Sequence, residues 1–95
     1  MEYLNILMPS PFACMDYDTE SGVYFLYDAR TSTYYQLNSS SRLIWELICS
    51  QKYSRPSLIA EYASKCQIEF LVSSSIVRPF VDRLLMKQLV KIQKP

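Results

Sequence analysis

The sequence predicts an α+β domain in which a three-stranded antiparallel sheet is followed by three helices. Three observations carry this. Between Phe12 and Leu37 lie three short runs of aromatic and β-branched residues, separated by two polar connections. After Asn38 the apolar residues change to helical spacing, in three stretches that each begin near serine. The chain has 95 residues, 49% of them hydrophobic and 20% charged, with one glycine and five prolines, which suits one folded domain with few flexible loops.

Residues 1–11 read as an N-terminal arm, and the domain is expected over residues 12–95. Weak alternation at Leu4, Ile6 and Met8 leaves room for a short strand, until Pro9 and Pro11 interrupt a ladder to which proline cannot donate. "FACMDYD" from Phe12 and "VYFLYDA" from Val23 form a hairpin around "DTESG", with Gly22 taking the positive φ that closes it. "DARTS" then leads to "TYYQL" at Thr33 to Leu37, and two short connections make a meander.

The first helix is capped by Asn38 or Ser39 and collects Leu43, Ile44, Leu47 and Ile48 on one face, with Arg42, Glu46 and Ser50 opposite. Ser54 and Pro56 start the second, since proline suits a first turn whose amides lack partners. Its buried face is expected to hold Leu58, Ile59, Tyr62, Ala63 and Cys66. Ser73 to Ser75 read as the start of the third, whose stripe of Ile76, Val77, Phe80, Val81, Leu84 and Leu85 is broader than one small neighbour requires. Pro79 then demands either a start nearer Ile76 or a local kink.

Composition removes several function classes. The net charge of +1 provides no whole-protein field for DNA, anionic membrane or acidic substrates. With no histidine, and with Cys14, Cys49 and Cys66 far apart, no closed zinc site can form. Cys49 and Cys66 end apolar helical stretches and read as small buried hydrophobes, which implies a reducing compartment. No apolar run reaches the roughly 18 residues of a membrane span, and the N-terminus lacks a signal-peptide pattern, so a cytoplasmic protein is expected. Asp16, Asp28, Glu46 and Asp82 form no recognisable catalytic pair, both serine clusters read as helix caps, and one glycine cannot make a phosphate loop. A non-enzyme without cofactor or metal is expected.

Two binding readings remain. Three helices beside a small sheet resemble a winged helix-turn-helix, but the third helix offers Arg78, Arg83 and Lys87 together with Asp82 and a broad apolar face, a poor footprint for nucleic acid. The other reading is a peptide. A meander leaves its last strand, Thr33 to Leu37, as an open edge that can accept an extra strand, and Tyr34 and Tyr35 point to opposite faces of it.

The order strand, strand, "TYYQLN", helix with "IW", helix, and last helix with "VDRLLMKQLVKI" resembles the PqqD-like family, the leader-recognition domains of ribosomally made, modified peptides. The resemblance covers Phe12 to Ile92, and its most specific piece is "DARTSTYYQLNSSSRLIWELI" from Asp28 to Ile48. Among the branches it is most similar to the free-standing recognition proteins of lasso-peptide clusters. The resemblance implies that the leader of a precursor peptide adds as an antiparallel strand beside the third strand and lays side chains on the third helix. Carried onto this chain, the strand positions are Thr33, Tyr34, Tyr35 and Gln36, and the helix positions are Val77, Phe80, Val81 and Leu84. Arg83 and Lys87 would meet leader carboxylates at the rim, unless they are simply a solvated face. It also implies a separate cysteine protease as second partner, and the chain is expected to be a monomer. The family often has glycine where Ser32 stands and near Gln88, so the second hairpin turn here is either strained or of another type.

Overall fold

The computed structural model describes residues 5–93. Its elements are β1 (Ile6–Pro9), β2 (Ala13–Asp18), β3 (Val23–Asp28), β4 (Thr33–Leu37), α1 (Ser39–Cys49), α2 (Arg55–Cys66), α3 (Phe70–Met86) and β5 (Val90–Gln93). Strands β2, β3 and β4 form an antiparallel sheet in that order, so β4 is an edge. Its register pairs Asp18 with Val23 across the first turn and Asp28 with Thr33 across the second. Gly22, at φ 72°, donates its amide to Asp18 O at 2.8 Å and closes the first hairpin as its sequence position implies.

Helix α1 starts at Asn38, whose side chain accepts from Ser41 N at 2.8 Å while Ser41 Oγ accepts from Asn38 N at 2.9 Å. Ser54 and Ser57 build the same reciprocal cap for α2, with Pro56 in the first turn. Such pairs satisfy amides that no earlier helical carbonyl can reach. Two apolar stripes then converge: Ile44, Trp45 and Ile48 of α1 meet Leu58, Ile59 and Tyr62 of α2 in one core with Leu26 and Leu37 of the sheet.

Helix α3 departs from the sequence reading at both ends. It begins at Phe70, with Glu69 as an N-cap that makes no side-chain hydrogen bond, so Ser73 to Ser75 are not caps. Ser73 is fully buried and donates its hydroxyl to Ile59 O at 2.7 Å, tying α3 to α2, while Ser75 donates to Val72 O at 2.6 Å. Pro79 is accommodated inside the helix, where it supplies no amide to the carbonyl four residues before it. The helix stops at Met86. Gln88 takes φ 60° and donates to Leu85 O, and Leu89 N donates to Leu84 O at 2.9 Å, the paired bonds of a Schellman motif.

That turn sends Val90–Gln93 into β5 rather than more helix. It pairs antiparallel with β1, from Ile6 opposite Gln93 to Pro9 opposite Val90. Leu7, 1% exposed, is thereby held in the core, and its amide donates to Tyr53 O at 2.8 Å. Two cysteines also differ from expectation: Cys49 and Cys66 are exposed, as is Cys14. Cys49 and Cys66 are the last residues of α1 and α2, where each stripe has turned away from the core. Enough protein still surrounds the Cys49 thiol to push its pKa up, with smaller contributions from Glu46 and Cys14.

Among the described residues, four other than glycine hold positive φ: Ser32, Gln51, Gln67 and Gln88. This conformation costs an L-residue roughly 1–2 kcal/mol. Ser32, at φ 54°, sits in the β3–β4 turn and is therefore strained. Ser32→Gly is expected to stabilise the protein by about 0.5 kcal/mol, the relieved strain less the entropy glycine adds to the unfolded chain. Gln88→Gly should gain less or lose, because the Gln88 side chain accepts a hydrogen bond from Arg30. Equilibrium denaturation in urea measures both.

Candidate functional site: a groove between the sheet edge and the third helix

Strand β4 alternates as a half-buried strand must. Tyr35 and Leu37 pack against the core, while Tyr34, 56% exposed, and Gln36 point the other way. The two tyrosines therefore divide the work: Tyr35 joins the sheet to α3, and Tyr34 stacks on the outer face against Tyr27 at 4.5 Å and edge-on to Phe25 at 5.9 Å.

Between β4 and α3 lies an open cavity of 500 Å³. Tyr34, Tyr35 and Gln36 line it from the strand, and Phe80, Arg83, Leu84 and Lys87 line it from the helix. The structure thus brings together seven of the ten residues picked out in sequence. The other three lie elsewhere: Val77 and Val81 are 0% exposed, held in the core on the buried stripe of α3, and Thr33 stands outside the cavity with its hydroxyl bonded to Thr31. Leu26, Leu37, Asn38, Ser41 and Leu89 also line the cavity, and sequence reading missed them as site residues. Leu37 and Asn38 carried a signal, since both directly continue the edge strand. Leu89 carried none, because only the turn at Gln88 folds it back beneath α3.

The groove has an apolar interior and a basic rim. No acidic residue lines it, and neither Arg83 nor Lys87 has an acidic partner among the described residues. Lys87 instead places Nζ 4.9 Å from the centre of the Tyr35 ring, a cation–π contact that spans from helix to strand.

The profile described as "Coenzyme PQQ synthesis protein D (PqqD)" matches residues 23–90, a span that holds both walls of this groove. The chain belongs to the PqqD family. Two solved structures share the fold of this PqqD-family chain. One, described as "Lasso peptide synthetase B1 complexed with the leader peptide", matches with a TM-score of 0.70 and 19% identity, covering 88% of this chain and 95% of that one. The other, "TbiB1 in Complex with the TbiA(beta) Leader Peptide", matches with a TM-score of 0.68 and 19% identity, covering 87% and 93%. No curated protein matches the chain by sequence. Among the described residues no helix is long and apolar enough to cross a membrane.

At one end of the PqqD-family groove a latch joins the sheet to the end of α3. Asp28, 2% exposed on β3, accepts from the Arg30 amide at 3.0 Å and from its guanidinium at 3.3 Å on each oxygen. The same guanidinium donates to Lys87 O and to Gln88 Oε1, both at 2.9 Å, and lies over the Phe12 ring at 5.3 Å. Arg30 therefore binds the β3–β4 turn to the end of α3. A planar fork can serve a carboxylate and two further acceptors at once, which an ammonium cannot.

The hydrogen bond from Arg30 is the main cause that lowers the Asp28 pKa below its ordinary value of 3.8, against an opposing push from desolvation. A lowered carboxylate pKa adds stability that is complete above the ordinary value and disappears as pH falls through the folded-state value. Arg30→Ala is expected to lower the urea midpoint at neutral pH, with the gap from the parent closing as the pH drops below 3.8. Arg30→Lys should recover little of the loss. Denaturation curves collected across the acid range would reveal an uninvolved Arg30 as a gap that does not change with pH.

Proposed function

We propose that this protein is a non-catalytic adaptor that binds the leader segment of a ribosomally synthesised precursor peptide by strand addition at β4. The bound leader would be delivered to a separate cysteine leader peptidase and other modifying enzymes, in lasso-peptide maturation. The protein would work in the cytoplasm as a monomer, with residues 12–95 as its leader-recognition domain. The observation that carries this reading is the open β4 edge bordering an apolar groove against α3.

Strand addition needs free backbone amides and carbonyls beside a surface that selects side chains. The outer edge of β4 has no neighbouring strand among the described residues, and alternate side chains of an added strand would enter the groove near Tyr35, Phe80 and Leu84. Backbone bonds give affinity with little sequence preference, so the apolar contacts set specificity. Arg83 and Lys87 would add attraction for carboxylates of the leader. The adaptor accelerates processing by raising the effective concentration of the precursor at its enzymes. Support comes from the two proteins of the same fold, each described as a complex with a leader peptide.

A micromolar complex corresponds to about −8 kcal/mol. Phe80 is half-buried in the groove wall, so truncation should remove a central contact without emptying the core. Phe80→Ala is expected to keep its fold and weaken binding of a synthetic leader, from the precursor encoded beside this protein, by about 30-fold. Calorimetric titration measures it, and unchanged affinity would place the leader elsewhere. A titration with duplex DNA at low and high salt tests the competing winged-helix reading: tight DNA binding that collapses with salt, without leader binding, would replace the adaptor.

A further inference from the structure

The two elements that flank the groove run in opposite directions along it. At one end Arg30, in the turn before β4, donates to Lys87 O and to Gln88 Oε1, so the start of β4 lies beside the last turn of α3. At the other end Asn38, directly after β4, shares a small concavity with Ile76, Phe80 and Arg83. Strand β4 therefore passes Lys87 first and Phe80 last. Followed the other way, along α3, the lining changes from the apolar ring of Phe80 to the cations of Arg83 and Lys87.

These two cations keep their charge uncompensated. Asp82, beside Arg83 in sequence, is bound to Arg55 at 2.8 Å, and Asp28, at the Lys87 end, is bound to Arg30 at 3.3 Å. Arg83 and Lys87 are both exposed and stand about one turn apart on the same side of α3. Lys87 is also held in place, with its carbonyl on Arg30 and its ammonium 4.9 Å from the centre of the Tyr35 ring. Four residues of helix advance about 6 Å. Two residues of an antiparallel strand advance about 6.8 Å. A strand added antiparallel to β4 would run in the direction of α3, with alternate side chains turned toward the helix. Consecutive groove-facing side chains would thus keep step with Arg83 and Lys87.

We infer that the groove selects an acidic peptide segment of defined polarity: an apolar side chain at Phe80, followed toward the guest's C-terminus by two carboxylates, two residues apart, that pair with Arg83 and Lys87 in that order. The identity of the guest as a leader rests on the adaptor reading above. The charge pattern rests on the groove. A segment with the reverse order would set a carboxylate against Phe80 and an apolar side chain beside Lys87, leaving that cation unpaired. Arg83 and Lys87 would then decide both which segment is held and which way it is threaded.

The test titrates the synthetic leader, and peptides with the core Leu-Ser-Glu-Ser-Glu or the reversed core Glu-Ser-Glu-Ser-Leu, into the parent, Arg83→Glu, Lys87→Glu and the control Arg78→Glu. Arg78 is exposed on α3 and does not line the groove. All three substitutions lie at exposed positions, so the variants should fold, and thermal melts check this. Arg83→Glu and Lys87→Glu are each expected to weaken leader binding at least about tenfold, and Arg78→Glu to change it less than about twofold. Replacing the first leader carboxylate by lysine should restore binding to Arg83→Glu, and replacing the second should restore it to Lys87→Glu. Leader binding indifferent to both groove variants, weakened equally by Arg78→Glu, or rescued in the opposite order overturns the charge pattern and leaves the adaptor reading standing. A parent that binds no leader but prefers the Leu-Ser-Glu-Ser-Glu core to its reverse overturns the adaptor reading alone. A parent that binds neither leader nor core overturns both.

Discussion

One guanidinium fixes the relation between the two halves of this protein. The sheet and α3 come from opposite ends of the chain, and apolar packing joins them through Leu26, Val77 and Val81 without setting direction or register. Arg30 adds that direction. It compensates the buried charge of Asp28 and simultaneously occupies acceptors at Lys87 and Gln88, so the β3–β4 turn and the end of α3 take fixed positions. A buried carboxylate without this partner would be costly. The groove is consequently bordered by a strand and a helix that are tied together at one end.

The same end depends on an unusual choice of residues at the helix exits. Each of the three helices is followed by a glutamine at positive φ, namely Gln51, Gln67 and Gln88, where glycine is the commoner solution. The only glycine is spent on the first hairpin. At Gln88 the strain has a local return, since the side chain that costs energy at this φ also accepts from Arg30. Helix exit and latch are thus one arrangement, and the turn they share sends Leu89 into the core and Val90 into β5.

Much of this was legible in the residues, for identifiable reasons. The meander and the first two helices were readable because local chemistry agrees with tertiary packing: Gly22 at the turn, Asn38 and Ser54 at the caps, and apolar stripes that meet in one core. The edge role of β4 followed from connection length alone. Failures occur where a long-range partner overrides the local signal. Ser73 resembles a cap and serves as a tie to α2, and Phe70, Leu71 and Val72 are helical yet exposed, so they add nothing to a buried stripe. The pairing of β1 with β5 joins two four-residue segments from opposite ends of the domain, neither of which has a distinctive period. Within the site, the family resemblance groups Val77 and Val81 with Phe80 and Leu84 on one helix, but a motif does not say which way each side chain turns, and only Phe80 and Leu84 of the four line the cavity.

The capping box at Asn38 has a consequence beyond helix stability. By committing the chain to α1 directly after Leu37, it ends the open edge after five residues, roughly 17 Å of strand. Under the proposed strand addition, a peptide paired along such a ruler would present only two or three side chains to the groove. Recognition would then consult a very small number of letters, and the remainder of the guest would be unread text.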